Sequence, residues 1–340
     1  MRQGLAPYSK VRKELLIMRI IHIAALIFLG AAGASCQDPE IIPYVPETRE
    51  ITLENAERPI VLTEQAEDKL VIFDMASKKT LWQWSAKTGG IPSADQSLFH
   101  LPDECKPVYG RSCMLVTASG GGVALIRISD RKPLFYAKPG GNPHSAEILP
   151  DGNIVTASSD GYILLYRFDP SRPFVENPSF RVEAEHAHNV VWDRKRDCLW
   201  TLTRQKMVRY KYDPKNLTLT QQAVFTNPFG YDWGHDLVPV WGYDKFYCVF
   251  TGGICEFDID SGTFTKAGFF QTVNVKSVSS GPEPFGVCLC VANNATDWWT
   301  SDVWASGGSK LFSNPAYKIY KSRWYIENPF SYGDGGMRLP

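Results

Sequence analysis

Neither sign of charge is in excess in these 340 residues, where 36 lysines and arginines meet 36 aspartates and glutamates. Without a basic surplus the chain lacks the electrostatic footprint of a nucleic-acid binder or of a protein that rides an acidic membrane. No long 3.6-residue apolar period runs through it, which excludes a helical bundle. It has no Gly-x-Ser-x-Gly nucleophile elbow, and its cysteines lack the spacing of a zinc ribbon. Histidine is scarce, with six in all. The one apolar run near the N-terminus is too short and too poorly flanked for a membrane span.

That run has another reading. Met18 to Ser35 carries a basic Arg19, an apolar stretch and then small residues, the build of a secretory signal peptide, with translation expected to start at Met18. Gly33-Ala34-Ser35 before Cys36 resembles a lipobox, although Leu is usual where Gly33 stands. The resemblance implies lipidation at Cys36 and anchoring to a bacterial outer membrane, on its surface or periplasmic face, with plain secretion as the rival. Gln37-Asp-Pro-Glu resembles the acidic tether that favours surface display in Bacteroidetes lipoproteins. The expected organisation is therefore a leader over 1–35, a lipidated cysteine and Pro/Glu-rich tether over 36–56, one folded unit over 57–330 and a tail over 331–340. Of the seven later cysteines, Cys105 with Cys113 and Cys248 with Cys255 are candidate disulfides in an oxidising compartment. Cys288 and Cys290 alternate in a strand and are expected in the core.

Internal repetition sets the fold. Val116-Thr-Ala-Ser-Gly-Gly-Gly-Val-Ala-Leu and Val155-Thr-Ala-Ser-Ser-Asp-Gly-Tyr-Ile-Leu each spell strand, turn, strand, one propeller-blade period apart. A strand ending in an Asp-led turn recurs at Asp74, Asp130, Asp169, Asp213 and Asp258, with a degenerate sixth copy around Trp304. Asp suits such turns because its carboxylate bonds the turn's own backbone. The expected class is all-β, a single β-propeller of about six four-stranded blades, with seven as the alternative. The C-terminal strand from Tyr317 to Tyr325 is expected at the outer edge of the last blade, and Ile51 to Leu53 as the first blade's inner strand.

Three histidines share one phase of this repeat: His144, His188 and His235, followed one blade later by Lys276. At the start of an innermost strand they would gather at one mouth of the central channel. Three neutral imidazoles can bind Mn²⁺ or Zn²⁺, with Lys276 and His186 as candidate catalytic groups. Glu64 or Gln65 from blade one and Asp95 from blade two are candidate ligand contacts, and Glu147 and Asp236 candidate carboxylates orienting the imidazoles. The plainer alternative is that such residues line a water-filled channel and fix blade register. Trp298-Trp299 is either a sugar-stacking platform or core. Ser119-Gly-Gly-Gly has no following helix, so it is a hairpin rather than a phosphate loop, and Trp192-Asp193 closes an inner strand rather than marking a WD repeat.

With Gly141-Asn-Pro-His-Ser-Ala-Glu, His188-Asn-Val-Val-Trp-Asp, Gly234-His-Asp-Leu, Val275-Lys-Ser-Val-Ser and Ile319-Tyr-Lys-Ser-Arg-Trp in view, the chain resembles a family of Bacteroidetes propeller lipoproteins with no assigned reaction. In site logic, rather than in any motif, it is similar to oligogalacturonate-lyase-type propellers, which bind a metal through channel histidines. Two functions are expected from this. One is an exported monomer that binds, and as a metal-assisted lyase or hydrolase cleaves, a small-molecule or oligosaccharide ligand with acidic groups. The other is a non-catalytic propeller serving as a binding or scaffolding module.

Overall fold

The structure, a computed structural model, describes residues 50–294, 296–334 and 336–339. The expected leader, the lipidated Cys36 and the tether up to residue 49 lie outside them. Six antiparallel sheets, which we number as blades one to six, follow one another around a closed ring. From the axis outwards, blade one is Ile319–Trp324, Pro59–Glu64, Lys69–Asp74 and Lys79–Ser85. The innermost strands of blades two to six are Pro102–Val108, Pro143–Ile148, Asn189–Asp193, Gly234–Pro239 and Val275–Ser280. Blade two gains a short fifth strand, Phe174–Val175, parallel to its outer edge.

The repeated turns fall where the sequence puts them, between the third and fourth strand of each blade. The carboxylates of Asp74, Asp130, Asp169, Asp213 and Asp258 accept from the backbone N–H of Ser77, Lys132, Ser171, Lys215 and Ser261. Each turn thus satisfies its own amides through a side chain.

Blade strands are apolar on both faces, and the period of two sends alternate residues to different neighbours. In Gly122–Arg127, Val123 and Leu125 join the core shared with blade three, while Ala124 and Ile126 join the core shared with blade one. There are six such cores, one for each pair of adjacent blades, the last packing Ile60 and Leu62 of blade one against Cys288, Cys290 and Val303 of blade six. Six interfaces for six blades is a closed circle, so the count is six and not seven. Each fully buried Leu or Ile in these seams contributes about 1.5–3 kcal/mol.

Two expectations are corrected here. The C-terminal strand is the innermost strand of blade one, antiparallel to Pro59–Glu64, and not the outer edge of the last blade, which is Lys310–Ser313. Its six residues are all buried, as the axis demands and an outer edge would not. Residues 51–53 form no strand; Leu53 packs onto the core between blades one and two. The cysteine pairs are corrected too: all seven described cysteines are free and buried. Cys105 and Cys113 belong to different inter-blade cores, whereas Cys248 and Cys255 face each other in register as thiols.

The same C-terminal strand crosses the channel with charge. Lys321 Nζ lies 3.3 Å from Glu104 and 3.2 Å from Asp236. Arg323 Nη2 lies 2.8 Å from Glu104, and its Nη1 donates to Asp236 at 2.8 Å. Asn189 and the Val278 N–H also donate to Asp236. Burial opposes both carboxylate charges, but Arg323 and Lys321 outweigh it and hold Asp236 and Glu104 below their ordinary range. Two cations and two anions thus plug the channel at its middle.

Replacing Arg323 by Ala leaves these buried carboxylates under-compensated, so urea unfolding is expected to show a loss of about 3–5 kcal/mol. Because both folded-state pKa values are depressed, the stability from the plug is full above the unfolded carboxylate range near pH 4 and is lost as pH falls below it. A Glu104→Gln/Asp236→Asn double variant is expected to lose less stability than the parent between about pH 5 and pH 2; an unchanged acid limb would contradict this account.

Candidate functional site at the channel mouth

The inner strands carry one shared irregularity. In blade two, Pro102 pairs with Ala118 and Glu104 with Thr117, so Asp103 is an extra residue. The same slip isolates His144 in blade three, His235 in blade five and Lys276 in blade six. In blade four, His188 donates its N–H to Leu202 O immediately before the strand begins. In blade one the slip falls across Tyr320-Lys321. A bulge turns its residue out of the ladder and re-aims the side chain, here towards the axis. Two residues earlier, Leu101, Asn142, His186, Trp233 and Asn274 all have left-handed φ values between 51° and 59°. At Gly234 a Cβ would lie 2.4 Å from Thr203 O, so only glycine lets this strand enter against blade four.

The six residues at these positions meet. The His144 and His188 rings stack with centroids 3.9 Å apart and planes 15° apart, and His188 and His235 meet edge to face at 5.4 Å. Lys276 Nζ sits 3.1 Å from His235 Nε2, which also lies 2.8 Å from Thr251 Oγ1. His144 Nδ1 is 3.5 Å from Asp103, and His188 Nε2 is 3.3 Å from the Tyr320 hydroxyl. Sequence reading found four of these six; Asp103 and Tyr320 it missed. The available signal was the period itself, since each stands one blade from His144 or Lys276.

The other candidates divide. Gln65 belongs to this mouth: its Nε2 donates to Pro102 O and approaches Asp103, and its Oε1 accepts from Trp298 Nε1 at 3.0 Å. His186 also belongs, its ring 4.9 Å from His188 and edge-on to Trp233 at 4.8 Å. Glu64 does not; its carboxylate caps the turn amides of Ala66 and Glu67 and the Lys318 N–H. Asp95 lies beside the outer strand of blade two, bonded to Tyr136 and Lys138, because its segment forms a 3-10 helix (Ser93–Phe99) before the inner strand starts. Asp236 is part of the plug rather than a partner of the imidazoles. Glu147 lies beyond the plug, bonded to Lys106 and Tyr332. Both face away because the strand has already advanced along the axis.

Burial foremost, and then the neighbouring cations and imidazoles, depresses His144 and His188 far below ordinary histidine; burial and Lys276 do the same to His235. All three are neutral. Burial raises Asp103 well above the carboxylate range against the Ser119 hydroxyl and Lys321, and lowers Lys276 to about 8. An ammonium can only donate, so with Lys276 charged His235 accepts at Nε2 and carries its proton on Nδ1. That Nδ1 makes no hydrogen bond to the protein, nor do His188 Nδ1 or His186 Nε2, and His144 Nδ1 has only the Asp103 carboxyl at 3.5 Å. Ring nitrogens without a hydrogen bond stand out where most buried polar atoms are bonded. Two exposed indoles flank them: Trp298, and Trp233 with the Arg204 guanidinium 4.5 Å over its face. Stacking turns the His144 and His188 ring edges alongside one another rather than towards one point. Among the described residues no three His, Cys, Asp or Glu side chains are grouped to hold a metal ion.

Among solved structures, the chain is similar to a protein of unknown function from Bacteroides caccae, with a TM-score of 0.51 and 14% identity over 78% of this chain and 98% of that one. It is also similar to hydrazine synthase from Kuenenia stuttgartiensis, with a TM-score of 0.49 and 12% identity over 67% and 68% of the two chains. The first likeness is one of fold alone. No curated protein matches the sequence. A family described as a "Family of unknown function (DUF6528)" matches residues 15–336, and the chain belongs to it.

Proposed function

We propose that the imidazole mouth binds an acidic glycan fragment, a uronate-bearing oligosaccharide. The observation that carries this reading is the Lys276 ammonium set among buried ring nitrogens that make no hydrogen bond, beside two exposed indoles. Lys276 and the His235 Nδ1–H are donors suited to a carboxylate. The exposed Trp298 indole, and the part of the exposed Trp233 indole that Arg204 leaves uncovered, suit sugar rings, which bury C–H groups against aromatic faces. Asp103 and Gln65 supply polar contacts of the kind that fix orientation in a pocket. The setting we propose is the exported, lipid-anchored one read from Met18 to Cys36; Cys36→Ala is expected to abolish palmitate labelling in cells, and persistent labelling would remove the anchor from this reading.

A second reading takes up the neutrality of the imidazoles: His144, His188 and His235 would hold Mn²⁺ or Zn²⁺, which need unprotonated ring nitrogens, only after the stacked His144 and His188 rings turn to bring those nitrogens to one point.

Titration calorimetry of the protein with oligogalacturonate is expected to show binding that Lys276→Met weakens about tenfold, the worth of one charge-assisted hydrogen bond. No binding of any uronate oligomer would sink the first reading. His188→Phe removes the unpartnered Nδ1 together with the Nε2 contact to the buried Tyr320 hydroxyl, so its stability is expected to fall by no more than about 1–3 kcal/mol. A larger loss would make His188 a structural residue. Elemental analysis of the same two proteins tests the second reading, which requires one equivalent of Mn or Zn in the parent and none in His188→Phe.

A further inference from the structure

On the far side of the plug the channel opens into a cavity of about 340 Å³, the lower end of the range for small-molecule sites. Nothing in the imidazole mouth reaches it, because Glu104, Asp236, Lys321 and Arg323 close the channel between the two. Its walls are apolar and come from blade five and from the chain after the last strand. Val238 and Trp241 form one side and Phe330 the other. Phe330 lies on a single helical turn, Pro329–Tyr332, capped by Asn328, and its ring packs 5.1 Å from Phe246. Tyr332 ties that turn down by donating its hydroxyl to Glu147.

The floor is polar and charge-balanced. Lys106 Nζ donates to Glu147 at 3.1 Å and to Val190 O at 2.7 Å. An ammonium has three donors, so one N–H of a largely buried lysine is left without a protein partner in a residue that lines the cavity. The Glu147 carboxylate is already met by Lys106, Tyr332 and the Ile148 N–H. Two further carboxylates stand at the lining, Glu327 and an Asp244 already paired with Lys195 and Arg196, and the lining cation Arg323 is held by Glu104 and Asp236. With the floor's charges already matched, burying a further ionic group of either sign there is unfavourable. What fits is an uncharged, flat, mostly apolar body with one acceptor oxygen for Lys106.

We propose that this cavity is a second ligand site, independent of the imidazole mouth, for an uncharged ring-shaped small molecule carrying a carbonyl or ether oxygen. Because Glu104, Asp236, Lys321 and Arg323 close the channel between the two ends, what one end binds does not constrain the other.

Coumarin and coumarin-3-carboxylate are a matched pair of probes, flat and carbonyl-bearing, differing in charge. With the full chain, calorimetry or saturation-transfer NMR is expected to show coumarin binding with a dissociation constant below about 1 mM. The carboxylate is expected to bind at least about tenfold more weakly, since its charge would be buried beside Glu147. Val238→Trp fills the cavity and is expected to abolish binding. Trp241→Ala, at a half-buried wall position, is expected to weaken it about tenfold, and carries the test should Val238→Trp fail to fold by circular dichroism. Lys276→Met, in the other mouth, is expected to leave coumarin binding unchanged. No coumarin binding by the parent, binding indifferent to both wall variants, equal binding of the two probes, or loss in Lys276→Met would each overturn the proposal. None of these outcomes depends on whether the imidazole mouth takes a uronate.

Discussion

Pairing between the strand that ends the ring and the strand that begins it is the constraint on which the rest depends. Ile319–Trp324 lies between Pro59–Glu64 and the axis, more than 250 residues later in the chain. Until it is in place, blade one lacks its inner strand, the seam with blade six lacks Ile319 and Trp324, and the edge of Pro59–Glu64 is an open template. Each of the six cores needs two blades, so closure completes the burial of all. Contacts of such sequence separation are costly in loop entropy and form late. The closing strand also brings Lys321 and Arg323 to Glu104 and Asp236, so ring closure and neutralisation of the buried acids are one event.

The mouth above shares the same low-dielectric axis. Burial is the main reason that its imidazoles stay neutral, with Lys321 of the plug adding to it, and burial eases Lys276 towards neutrality. Asp103 answers to the same surroundings in the opposite direction, its carboxyl raised by burial while Lys321, which also serves Glu104 and Asp236, only partly opposes the shift. Orphaned ring nitrogens in such surroundings cost stability on the order of 1–3 kcal/mol each. Either channel water or a ligand can supply the missing partners, and the two differ in what fills the mouth.

The blade architecture was legible because its signals are local. The Asp-led turns and the Thr-Ala-Ser hairpins act within a few residues, and their period reports the blade directly. The phase of His144, His188, His235 and Lys276 was legible for the same reason. What escaped was whatever depends on closure. Ile319–Trp324 looks like any other buried strand, and nothing local says that it returns to the first blade. Hence Tyr320 was missed at the axis, and Arg323 and Lys321 were not seen as partners of Asp236. Asp103 was missed because the 3-10 helix Ser93–Phe99 lengthens the entry to its strand and drew attention to Asp95. Glu147 and Asp236 follow the right histidines in sequence, but a strand rises about 3.3 Å per residue, which carries them past the imidazoles to the plug and the far mouth.

The recurrent bulge separates scaffold from chemistry. A left-handed residue two positions upstream and a slipped register aim whichever side chain stands there at the axis, whether it is Asp, His or Lys. None of the backbone bonds that build the bulge involves that side chain, so its identity is free of the fold's requirements. Left-handed backbone at residues as bulky as Leu101, His186 and Trp233 is itself unfavourable by about 1–2 kcal/mol, a cost that packing in six apolar seams can absorb. The character of this mouth is thus written in six positions, Tyr320, Asp103, His144, His188, His235 and Lys276, and a change at any of them alters what the channel admits before it alters the propeller.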